Sequence, residues 1–156
     1  MFVSTLKTLG AAALISVLSA ASAIAADTEG WSHEAGTIPV TINLSGVQIS
    51  DGPIYISVQK RGQYMGMKGH GTILKTATPG NMTATVNVAE PGDYAVSIWH
   101  DMDNDTVFDM DETYRPSEGW GASGTVPTSR MPSFDDVKVK IESLGSTVTV
   151  PMVYPS

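Results

Sequence analysis

Apolar and polar positions alternate with a period of two through most of the chain, and no stretch carries the stripe of an amphipathic helix. In "TIPVTINL", Ile38, Val40, Ile42 and Leu44 share one face, while Thr37, Thr41 and Asn43 occupy the other. The corresponding sets are Ile54, Ile56 and Val58 in "PIYISVQ", and Met82, Ala84, Val86 and Val88 in "NMTATVNVA". Tyr94, Val96 and Ile98 align in "GDYAVSIWH", where Trp99 on the opposite side predicts a second, partly covered face. "DVKVKIE" sets Val137, Val139 and Ile141 against lysines, and "TVTVPMVY" sets Val148, Val150, Met152 and Tyr154 against threonines. A weaker alternation in "GTILKT" centres on Ile73. Turn residues separate the runs at Asp51-Gly52-Pro53, Thr78-Pro79-Gly80-Asn81, Pro91-Gly92-Asp93 and Leu144-Gly145-Ser146.

About seven short strands at this spacing predict an all-β fold, a single antiparallel β-sandwich of immunoglobulin-like or transthyretin-like size. Pro39 and Pro151 fall inside strand patterns and so belong at edges or bulges. There is no internal repeat and no linker, so residues 37–156 read as one domain, preceded by a flexible leader over 26–36. The regular spacing breaks once. From Asp101 to Ser133, 33 residues show no periodic apolar pattern. Segments that long inside a compact domain are commonly functional, tied down or disordered.

Composition changes the picture at the N-terminus. Lys7, the apolar run "LGAAALISVLSAA" and Ala23-Ile24-Ala25 together read as a signal peptide over residues 1–25 with a small-residue cleavage site. The other reading is an N-terminal membrane anchor, for which the run is short. No cysteine follows the run, which excludes a lipid-modified N-terminus. The expected product is periplasmic or secreted and not an integral membrane protein. With zero cysteines it relies on apolar burial or bound ions rather than disulfides.

Charge matters through its placement. Residues 26–156 hold 16 acids and eight bases, and seven of the acids with a single base lie between Asp101 and Gly119. The remainder is close to balanced, so nothing favours nucleic acid or anionic lipid as a partner.

The acidic segment opens with "DMDNDTVFDMDE", six carboxylates in 12 residues. With Asp101 as position 1, Asp103, Asp105, Asp109 and Glu112 fall at positions 3, 5, 9 and 12, and the Val107 carbonyl at 7. That is the oxygen-ligand spacing of a calcium loop. A tightly coiled loop turns alternate side chains toward one centre, and the final Glu closes the shell. Hard oxygen donors suit Ca²⁺ and do not suit zinc or copper. Without an ion, such carboxylates repel by roughly 1 kcal/mol per close pair even at the dielectric of water. Position 6 is Thr106 where glycine is expected, so a positive φ there would strain a β-branched residue. The competing reading is a solvated acidic turn in which Asp and Asn cap local backbone groups.

Further along stand "YRPSEGWGASG" and "RMPSFDDVKV". The order of "GDYAVSIWHD", a D/N-rich loop, P-x-E-G-aromatic-G-x-S and P-S-F-acid-acid resembles the small exported bacterial proteins classed as domain of unknown function 2141. The resemblance runs from Gly36 through the closing strands and implies a single β-sandwich behind a signal peptide. It implies no activity, because the family has none established. Pro116, Glu118, Gly119, Trp120, Gly121 and Ser123 match the family's second motif, whereas Thr106 and Tyr114 stand where the family has Gly. Glu118 would donate a further oxygen or anchor the loop, and Trp120 would be a packed lid or an exposed recognition aromatic.

Two other clusters carry candidate chemistry. Met65, Met67 and His70 would suit Cu(I) if they converged. His100, beside Asp101, would be a general base, a packed strand-end histidine or a partner of the metal loop; His33 falls in the leader. The chain lacks a cysteine nucleophile, a G-x-S-x-G elbow and a phosphate-binding glycine loop. The expectation is a non-catalytic cell-envelope module with a structural Ca²⁺ loop and a protein or glycan partner. The alternative is a divalent-metal-dependent enzyme or metal-handling protein using the acidic loop with His100 and Glu118.

Overall fold

Residues 32–156, which the computed structural model describes, form nine strands and one helical turn. The strands are β1 (Ser32–His33), β2 (Ile38–Val47), β3 (Ile54–Gln59), β4 (Lys68–Leu74), β5 (Gly80–Val88) and β6 (Gly92–His100). β7 (Gly119–Ala122), α1 (Phe134–Val137), β8 (Lys138–Ile141) and β9 (Ser146–Pro151) follow. The expected signal peptide over residues 1–25 and the first part of the expected leader lie outside the described residues.

The strands make two packed sheets. The larger has the order β1-β4-β3-β6-β7, with β8 also paired to β6; the smaller is β5-β2-β9. β8 pairs with the first half of β6 and β7 with the second half, so the two lie end to end along one edge. The alternating residues read from the sequence meet between the sheets. Val40, Ile42 and Leu44 of β2, Ile54, Ile56 and Val58 of β3, and Tyr94, Val96 and Ile98 of β6 are buried in one cluster. Val86 and Val88 of β5, Ile141 of β8 and Val150 of β9 also belong to it. Each such aliphatic side chain contributes about 1.5–3 kcal/mol on burial, which is what holds two sheets together without disulfides.

Four features differ from the expected plan. Pairing is not wholly antiparallel, because β2–β9 and β1–β4 are parallel. The leader is tied down from Ser32 onward: Glu34 N–H donates to the Gly69 carbonyl and Thr37 N–H to that of Val88. The long segment after Asp101 contains β7, which pairs Trp120 with Trp99. Val137 does not continue the alternation of Val139 and Ile141. It ends α1 and joins Phe134, Ala95 and Ala122 in a second cluster, on the face of β6 opposite the main core. Asp136 Oδ2 accepts the Ser133 N–H at 2.7 Å, a capping box that starts the turn.

The C-terminal tail closes one side of the sandwich. Met152 N–H still bonds the Ser45 carbonyl of the smaller sheet, whereas Val153 exchanges two backbone bonds with Trp120 of the larger. A chain that switches sheets at a bend closes an edge of the sandwich. The crossing needs close approach. A Cβ on Gly119 would lie 2.5 Å from the Tyr154 ring, and one on Gly121 2.7 Å from the Pro151 carbonyl oxygen.

Candidate metal site

β6 delivers Asp101 to the sheet end, where its N–H bonds the Pro53 carbonyl at 3.1 Å. Gly52, at φ +75°, lets the β2–β3 turn press on this point; a Cβ there would sit 1.7 Å from the Asp101 carbonyl oxygen. The Asp101 side chain is fully buried, at 0 % exposure. Its Oδ1 accepts the Asp105 N–H and its Oδ2 the Thr106 N–H, both at 3.1 Å. Asp103 Oδ1 also accepts the Asp105 N–H at 3.3 Å, and Asp105 Oδ1 accepts that of Val107 at 2.7 Å. The chain therefore coils around its own carboxylates. One oxygen each from Asp101, Asp103 and Asp105 lies within 4.8 Å of the others. The coil requires left-handed backbone at Asn104, φ 61°, and Thr106, φ 67°. Asn tolerates that region, whereas a β-branched Thr is strained in it.

The second half of the 12-residue run turns away. Met110 and Pro116 form an isolated antiparallel bridge, and Ser117 N–H bonds the Asp109 carbonyl. Asp111 caps the tip of this small hairpin, its Oδ1 accepting from Thr113 N–H, Thr113 Oγ1 and Arg115 N–H. Those bonds, led by the Arg115 amide, hold its carboxyl below the usual carboxylate range. Glu112 is exposed at the hairpin tip and Asp109 half-buried at its base, and neither belongs to the group of three. Tyr114, φ 59°, is the other non-glycine residue of this segment in left-handed backbone, and it is 87 % exposed.

Glu118 sits beneath the loop, 4 % exposed. Its Oε1 accepts the Met102 N–H at 3.0 Å, and its Oε2 accepts the Trp99 indole N–H and, at 3.4 Å, the Asp109 N–H. Burial raises its pKa, opposed by these bonds; the neighbouring Asp101 raises it further. Above it, Phe108 stands edge-on to Trp99 at 6.0 Å, and Trp99 stacks on Tyr55 at 4.5 Å. The loop is thus fastened to the outer face of the larger sheet by an aromatic pile and one buried carboxylate. Trp120 is half-buried in β7 with its backbone paired to Val153.

Residues 42–149, which span the strands, the acidic loop and the EGWG segment, match the family described as "uncharacterized protein conserved in bacteria", DUF2141. The chain belongs to that family. No curated protein and no solved structure matches it.

His70 and His100 of this DUF2141 chain are buried and hydrogen-bonded through both ring nitrogens. His100, fully buried, has Nε2 at 2.7 Å from the Asp51 carbonyl and Nδ1 at 2.8 Å from the Tyr154 hydroxyl. A carbonyl only accepts, so Nε2 carries hydrogen. His100 braces the Asp51–Pro53 turn on which Asp101 rests. His70, 2 % exposed, spans the Glu34 carbonyl through Nδ1 and the Ala89 N–H through Nε2, while Met65 and Met67 are 65 % and 60 % exposed. With both ring nitrogens engaged, His70 offers no ligand to a thioether pair. Two features that shape the site were not read from the sequence, the Asp111 turn and the Trp99–Glu118 bond. Asp111 was visible as the first residue of a D-x-T-x-R turn, whereas nothing in the sequence pairs Trp99 with Glu118.

Proposed function

We propose that this chain is a non-catalytic β-sandwich module of the cell envelope, periplasmic or secreted, whose acidic loop binds one Ca²⁺ ion. The observation that carries the reading is the convergence of Asp101, Asp103 and Asp105 within 4.8 Å. Oxygens held by one Ca²⁺ at about 2.3–2.6 Å lie at most about 5 Å apart, so the three match one coordination sphere. Among the described residues no ion pair reaches any of the three, so within the protein backbone N–H groups, rather than cationic side chains, offset their repulsion. The left-handed Thr106 at the position where calcium loops carry glycine supports the same reading. Asp109 and Glu112 would join the shell only through a shift of the small hairpin; the Val107 carbonyl and solvent would otherwise complete it. Export is supported by the signal-like residues 1–25, and no helix among the described residues is long and apolar enough to cross a membrane.

The enzymatic alternative draws less support. It relied on His100 and Glu118, whose ring nitrogens and carboxylate oxygens are already committed to hydrogen bonds. The test is the melting temperature of the protein with chelator and with millimolar Ca²⁺. At ten times the dissociation constant the ion adds roughly 1.4 kcal/mol, or about 5 °C. Equal melting temperatures in the two buffers would remove the Ca²⁺ reading. For export, the mass of the protein recovered outside the cytoplasm should begin at Ala26, and an uncleaved chain would count against it.

A further inference from the structure

Glu118 is a buried carboxylate whose donors come from both limbs of the acidic loop and from the sheet beneath. Met102 N–H lies at the loop entrance, Asp109 N–H at its exit, and the Trp99 indole N–H on β6. A buried carboxylate is unfavourable unless donors compensate it, and Glu118, 4 % exposed, has three N–H donors drawn from separate parts of the chain. The three donors fix both ends of the coil that brings Asp101, Asp103 and Asp105 together. Between those ends the coil is closed by its own bonds, from Asp105, Thr106 and Val107 N–H to the Asp101 and Asp105 carboxylates. These bonds require no ion.

We propose that Glu118 is the positioning residue of the cation site: it holds the loop in its ion-binding shape before the ion arrives, without touching the ion. The inference deepens the Ca²⁺ reading above and rests on it. It makes the site a preformed, constitutive one rather than a conformational switch, since a loop that is already ordered loses little freedom on binding. Glu118→Gln is a disruptive change here. The amide keeps one acceptor oxygen and turns an NH₂ group toward N–H donors.

The experiment measures Ca²⁺ affinity and amide hydrogen exchange in the full exported chain, wild type and Glu118→Gln. Affinity should fall about 10–100-fold, the usual loss when a residue orienting metal ligands is removed. The deficit should persist at about 0.5 M salt, where a mere loss of long-range charge would be screened. In ion-free protein the Met102 and Asp109 amides should exchange at least tenfold faster in the variant, with Val96 and Ile98 in β6 unchanged as evidence of an intact fold. Affinity within about threefold of wild type, or a deficit abolished by salt, would overturn the proposal. If wild type binds no Ca²⁺, the ion reading fails by itself. The ion-free exchange arm then decides Glu118: unchanged Met102 and Asp109 protection would show that it does not hold the loop.

Discussion

Thr106→Gly should stabilise the protein, which is unusual for a change to glycine. Thr106 lies at φ +67°, and an L residue in that region is strained by about 1–2 kcal/mol, with a β-branched side chain at the upper end. Glycine removes that strain. Against this stand the extra freedom glycine gives the unfolded chain, about 0.7 kcal/mol, and the Thr106 Oγ1 bond to the Asp105 carbonyl at 2.6 Å. That bond is exposed and contributes about 0.5 kcal/mol. The balance is a gain of about 1 kcal/mol, read as a rise of about 3–5 °C in melting temperature or a matching rise in urea midpoint at constant slope. Because the backbone N–H of residue 106 still bonds Asp101 Oδ2, the loop keeps its shape. The gain should therefore appear equally with chelator and with Ca²⁺. Thr106→Ala, which keeps a Cβ but loses the branch, should recover less. An unchanged or lower midpoint for the glycine variant would refute the left-handed assignment and the strain argument together.

Other perturbations test the supports of the site. Gly52→Ala places a Cβ 1.7 Å from the Asp101 carbonyl oxygen at φ +75°, a backbone clash no rotamer relieves; it should cost about 3 kcal/mol or more in urea unfolding, and a neutral result would contradict the packing of that turn. Tyr154→Phe removes the hydroxyl at His100 Nδ1, which also accepts the Gln48 N–H. Stability should fall by about 2 kcal/mol with Ca²⁺ affinity unchanged, and a loss below about 0.5 kcal/mol would argue against the network. Arg61 and Arg130 hold the carboxyls of Asp135 and Asp136 well below the usual range, aided by Lys138 and Ser133. A depressed folded pKa contributes stability above about pH 4 that is lost as pH falls. Arg61→Gln with Arg130→Gln should therefore flatten the loss of stability between pH 5 and pH 2. Glu118, with its raised pKa, acts with the opposite sign in both proteins and cancels in the comparison; identical pH profiles would refute the pairing.

Strands whose inner positions are large and apolar were legible in the sequence: the alternation in β2, β3, β5, β6 and β9 became the buried cluster. β7 was invisible for a physical reason. Gly119 and Gly121 are the residues over which Tyr154 and Pro151 cross, so the apolar signal is missing where the sheets close. Val137 misled because a helical turn and a strand meet at Lys138, and a period-2 pattern carries across the joint. Parallel pairing of β2 with β9 joins segments about a hundred residues apart, which no local pattern encodes.

The acidic loop was half legible. Spacing singled out Asp101, Asp103 and Asp105, and one carboxylate oxygen of each lies within 4.8 Å of the others. It could not show that Asp111 would turn the chain into a second hairpin and carry Glu112 to its tip. Nor could it show Glu118 buried beneath the loop, because a carboxylate's burial depends on donors such as Met102 and Trp99 brought together by the fold.

The central claim is tested most directly by calorimetric titration of the chain from Ala26 to Ser156 with Ca²⁺. The expected result is saturable heat for one site, with a dissociation constant of about 10⁻⁴–10⁻³ M, as for extracellular calcium modules. Asp103→Ala and Asp105→Ala, both exposed and off the core, should abolish that heat while leaving the melting temperature in chelator close to wild type. No heat up to about 10 mM Ca²⁺, or undiminished heat in both variants, would contradict the account.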